Sequence, residues 1–153
     1  MKKTIVILTI LISTCFTIVG QNKKLYNIDF ADPKSVVNAI FYSAQTKDFA
    51  IMQCLCDPYG QGDGDTKSLC SISEIAKQIE AYGGNENTKK GLEEFVKAFE
   101  AGRITGQVTF DKREDGTEIA SVPFYFNSGG GENRNNETMV LVKRYGNWYF
   151  TSF

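Results

Sequence analysis

The sequence predicts an α+β domain in which N-terminal helices pack into a curved, cone-like antiparallel sheet of about four strands. Apolar residues recur at helical spacing through the first two-thirds of the chain, and from Ile104 the period becomes two. The two kinds of segment are segregated along the chain instead of alternating, which is the order of α+β and not of α/β proteins.

The first helix lies in DPKSVVNAIFYSAQTKDFA. Asp32 is a natural N-cap, and Pro33 suits the first helical position, where no N–H is needed. Val36, Val37, Ile40, Phe41 and Ala44 form its apolar stripe. Thr46, Lys47 and Asp48 interrupt the pattern, and a short second helix carries Phe49, Met52 and Leu55. Residues 57–68 read as loop, with three Gly, three Asp and one Pro. Ser71-Ile72-Ser73-Glu74 has the spacing of a capping box, which predicts a third helix from there to Gly83-Gly84. A fourth carries Leu92, Phe95, Val96 and Phe99 and stops at Gly102.

The first predicted strand is ITGQVTF, with Ile104, Val108 and Phe110 on one face. Asp115-Gly116 is a hairpin signal. In EIASVPFYF, Ala120, Val122, Phe124 and Phe126 form the apolar face, and Ile119, Ser121, Pro123 and Tyr125 the other. Pro123 cannot donate to a ladder, so an edge or a bulge is expected there. After the long NSGGGENRNNE connection, TMVLVKR and WYFTSF form the last hairpin around Tyr145-Gly146-Asn147, with Trp148 and Phe150 facing inward.

Residues 1–20 read as a secretory signal peptide. Lys2 and Lys3 precede an uncharged run from Thr4 to Val19, about 16 residues and short for a span of roughly 20. Cleavage after Gly20 would leave Gln21 first and one domain over residues 21–153. Two rival readings are a lipoprotein anchored through Cys15 and a retained N-terminal anchor. The expected location is periplasmic or secreted, with no transmembrane segment once the signal is removed.

Without Lys2 and Lys3, 15 of the 17 basic residues remain against 18 acidic ones, a formal charge of −3. Neither sign clusters into the basic stripe that a nucleic-acid partner requires. Histidine is absent. This excludes Ser-His-Asp and Cys-His catalysis, histidine metal ligands and a histidine pH switch.

CLCDPYGQGDGDTKSLC, residues 54–70, invites a chemical reading. As a calcium loop it has Asp63, Asp65 and Glu74 at suitable positions, but Lys67 and Ser68 where a ligand and the turn glycine belong. Zinc lacks a fourth ligand, and Cys54-Leu55-Cys56 is not a redox C-x-x-C at a helix start. Export favours a disulfide. Cys56–Cys70 is the expected pair, with Cys54–Cys70 as the alternative.

DPKSVVNAIFYSAQTKDFAIMQCL resembles the opening of nuclear-transport-factor-2-like domains, also called ketosteroid-isomerase-like or cystatin-like. MVLVKRYGNWYFTSF resembles their last hairpin. The resemblance covers residues 31–56 and 104–153. It implies a pocket between sheet and helices, with Phe41, Phe95, Phe99, Phe124, Phe126, Trp148 and Phe150 as its candidate lining; the rival reading makes these plain core. The family's catalytic residues do not carry over. Asp111 and Asp115 fall at a strand end and in a turn, no Asp stands two or four residues from Tyr125, and a His–Asp pair is impossible.

The function expected is therefore an exported, non-catalytic binding or accessory domain of the bacterial cell envelope. It needs no cofactor or metal, and its partner is a small apolar ligand or a protein. One alternative is a small-molecule enzyme using Asp or Tyr in the cone. Another is an interaction domain or homodimer using the open sheet face, where Tyr125, Tyr149 and Thr151 alternate away from the core.

Overall fold

The computed structural model describes residues 27–60, 64–127 and 136–152. The segment predicted to be a signal peptide, with Cys15, lies outside the described residues, as does Asp63 of the calcium reading. Among the described residues four helices precede a five-stranded antiparallel sheet that does not close into a barrel. The helices are α1 (Pro33–Thr46), α2 (Met52–Leu55), α3 (Gly64–Tyr82) and α4 (Glu86–Phe99). The strands are β1 (Arg103–Ile104), β2 (Thr109–Lys112), β3 (Glu118–Tyr125), β4 (Asn136–Arg144) and β5 (Asn147–Ser152). The curved sheet runs β3-β4-β5, with β1 and β2 both paired to the free side of β3.

The α1 start is as the sequence predicts. Asp32 accepts a hydrogen bond from the Lys34 N–H at 3.0 Å, and Pro33 opens the helix. The α3 start is a correction. Ser71 is not a cap but lies in the body of a helix that begins at Gly64, and its hydroxyl donates to the carbonyls of Lys67 and Ser68. Serine can satisfy its hydroxyl this way in mid-helix, so a capping-box spacing alone does not mark a terminus.

The strand predicted over ITGQVTF is likewise two strands, and Pro123 explains the break. Ile104 pairs with Phe124 and Thr109 with Ser121, so two extra residues bulge out on the β1–β2 side. Thr105 N–H donates to the Pro123 carbonyl at 2.9 Å. The amide that Pro123 lacks would point to that same side, where the ladder has nothing to accept it.

The core lies between the helices and the inner sheet face. Phe41, Phe95, Phe99 and Phe124 are buried and stack at centroid separations of 5.2–6.5 Å, with half-buried Phe126 against Phe99 and Phe124. Each such pair adds about 0.5–1.5 kcal/mol beyond its area burial. The Cys56–Cys70 disulfide, Cα–Cα 6.0 Å, ties the end of α2 to α3, and Cys54 is a buried thiol.

Strand β5 is the sheet's other flank, and it is capped. Its Trp148 N–H donates to the Phe30 carbonyl and its Phe150 carbonyl accepts from the Asp57 N–H, both at 2.8 Å. A register shift lets Val140 face Ser152 and Leu141 face Phe150, leaving Thr151 as the extra residue. Thr151 is consequently buried, not displayed beside Tyr149 as strict alternation predicts.

Candidate functional site

The register decides which side chains share the inner sheet face. Val122 lies opposite Met139, Ala120 opposite Leu141, and Leu141 opposite Phe150; all are fully buried under the helices. One step further toward the β2–β3 turn, the same face carries Lys112 and Glu118, which are cross-strand partners, and Lys143 opposite Trp148. Phe110 lies opposite Ala120 and therefore has the inward parity too. Yet it is 64% exposed. The helices pack against β1, β3 and β5, while β2 packs on β3. The inner face is thus left bare at one corner.

That corner is an open cleft of about 760 Å³. Ala31 and Pro33, at the entry to α1, also line it. Its floor is layered. The Phe110 ring lies 5.8 Å from that of Trp148, which is itself 3% exposed. Lys143 Nζ lies 5.3 Å from the Trp148 ring centroid and 2.9 Å from Glu118 Oε2. The hydrogen bond and charge of Lys143, with the further charge of Lys112, hold the Glu118 carboxyl below its usual range. Lys112 has no ion-pair partner within 4.0 Å among the described residues. Asp111, of outward strand parity, also lines the cleft, and its Oδ1 accepts from the Lys112 backbone N–H at 2.7 Å.

Of the seven aromatic residues expected at a pocket, Trp148 lines this cleft. Phe41, Phe95, Phe99, Phe124 and Phe150 are buried in the core, and Phe126 is half-buried against it. Sequence reasoning missed the polar part of the site, Lys112, Glu118 and Lys143. Its signal was nonetheless present, since each stands two residues from an inward apolar position. Sequence reasoning grouped Phe110 with the apolar face, and strand period assigns a face without saying whether a helix covers it.

The other polar clusters are structural in character. Asp57 is buried and bonded by Arg144 Nη2 at 3.2 Å, and its Oδ1 accepts from the Tyr59 N–H. The exposed Tyr59 and Tyr145 hydroxyls share a hydrogen bond of 2.9 Å, which raises the Tyr59 pKa. Asp115 accepts hydrogen bonds from Thr117 in the β2–β3 turn, and these lower its pKa. Tyr125 is half-buried on the outer sheet face under the Arg103 guanidinium, 4.1 Å from the ring centroid. Glu74 lies within α3, where Oε1 accepts from Gln78 Nε2 at 3.3 Å.

Among the described residues no helix is long and apolar enough to cross a membrane. No protein-family model, no curated protein and no solved structure matches the chain.

Proposed function

We propose that this chain is an exported, non-catalytic binding module of the cell envelope, and that a small ligand with an apolar body sits in the cleft over Phe110 and Trp148. The observation that carries the reading is Phe110, a ring of inward parity that the helices leave uncovered. Covering the exposed part of a Phe side chain is worth on the order of 1–2 kcal/mol. An aromatic floor with a few converging polar groups is the usual composition of a ligand site. The disulfide suits an oxidising compartment. The segregated order, the Pro-started first helix and the Trp-containing last hairpin also support kinship with the nuclear-transport-factor-2-like domains.

The ion pair with Lys143 makes Glu118 a poor general acid. A general acid needs a carboxyl raised toward neutrality, and Glu118 is pushed the other way. Protein association through the outer sheet face is a second reading. It is favoured by Ile119, Pro123, Val140 and Tyr149, which are half-buried on a face where a solvated sheet usually carries polar residues.

The chain's single tryptophan lines the cleft, so its fluorescence reports occupancy. Titration with the neutral dye phenylnaphthylamine should give saturable quenching of Trp148, weakened by Phe110→Ser. Equal binding by the variant would refute the assignment of the site.

A further inference from the structure

We infer that the cleft selects anions: its ligand is an amphipathic monoanion, such as a carboxylate, whose flat apolar body lies on Phe110 and whose head group lies beside Lys112. The inference rests on the cleft being the binding site and adds the chemical class of what it holds.

By parity the floor carries two ammonium groups, Lys112 and Lys143, and one carboxylate, Glu118. Lys143 is committed. It is 2.9 Å from Glu118 and lies against the Trp148 ring, so these two charges cancel within the floor. Asp111 has the opposite parity, and one of its oxygens is engaged by a backbone N–H. The whole lining balances, with Lys112 and Lys143 against Asp111 and Glu118, but on the inward face Lys112 is the charged group with no ion-pair partner within 4.0 Å among the described residues. It stands two residues from Phe110 on the same side of β2, a spacing of about 7 Å. That is roughly the length of a fused ring pair. A planar body covering Phe110 therefore brings an acidic substituent at its end to the Lys112 ammonium.

The probe is a matched pair of dyes, anilinonaphthalene sulfonate and the uncharged phenylnaphthylamine, which differ by the acidic group. Both are titrated against the chain and its variants, read by dye emission and by Trp148 quenching, with far-ultraviolet circular dichroism checking the fold. The sulfonate should bind more tightly than the neutral dye. Lys112→Gln should weaken the sulfonate about three- to tenfold and leave the neutral dye unchanged, as expected for loss of one charge-assisted contact. Lys112→Arg should retain the sulfonate, and Glu118→Gln, which releases Lys143, should tighten it. If Phe110→Ser weakens both dyes but Lys112→Gln leaves the sulfonate unaffected, anion selectivity is wrong and the cleft stands. If Phe110→Ser weakens neither, the cleft itself is not the site and the proposal falls with it.

Discussion

Replacing Gly102 with alanine should destabilise the protein, although on backbone grounds alone the change would help. Gly102 follows α4 and its amide donates to the Phe99 carbonyl at 2.9 Å. Its φ lies outside the left-handed range, so an L side chain meets no backbone strain. Such a Gly→Ala change ordinarily gains about 0.4–1 kcal/mol by restricting the unfolded chain. Here a Cβ would press into the Phe41 ring, with Cε1 at 2.6 Å and Cγ at 2.8 Å. Phe41 cannot retreat. It is buried, with Phe99 stacked at 6.5 Å and Phe124 at 6.0 Å. Overpacking of a filled core costs about 1–3 kcal/mol. The clash outweighs the entropy gain over most of that range, leaving a net loss of up to about 2.5 kcal/mol, or up to roughly 10 °C in Tm for a domain of this size. Urea midpoints of the wild type and Gly102→Ala measure it, and adding Phe41→Leu should recover part of the loss by making room. A Gly102→Ala variant as stable as the wild type would show that the aromatic stack is not packed as described.

Joint replacement of Cys56 and Cys70 by alanine opens a loop of sequence separation 14 and should cost about 3 kcal/mol, measured by chemical denaturation. Ser43 is fully buried in α1, and among the described residues its hydroxyl has no hydrogen-bond partner, so Ser43→Ala should stabilise by up to about 1 kcal/mol; a lower Tm would reveal an unrecognised partner. The Glu118 carboxyl is held low by Lys143, so folding gains from this pair above the ordinary glutamate pKa, about 4.3, and loses that gain as pH falls through the lower folded value. Lys143→Gln should therefore reduce stability at neutral pH and flatten its fall in acid, seen by comparing urea midpoints across that window.

Much of the architecture was legible because local rules and burial agreed. Asp32 and Pro33 mark a true helix start, the β3 alternation puts Ala120, Val122 and Phe124 in the core, and Cys56–Cys70 is the bond formed. The Gly/Asp-rich stretch before Cys70 hid the first turns of α3, because loop-forming composition and a capping-box spacing both pointed to Ser71. The splitting of ITGQVTF depends on Pro123 in a different strand, a long-range cause that no local window contains. The site was half legible. Period two gives Phe110 its face, but its exposure depends on where the helices cross the sheet, and only tertiary packing determines that.

The two hydrogen bonds that Phe30 and Asp57 make to β5 seal one flank of the sheet, and the four-residue strand β2 lies on the other. Ribbons of protein lengthen indefinitely only when every copy offers both a donor flank and a receiving one. Among the described residues this leaves one flank unsealed, so copies joined backbone to backbone through it would form a closed pair, each having spent that flank.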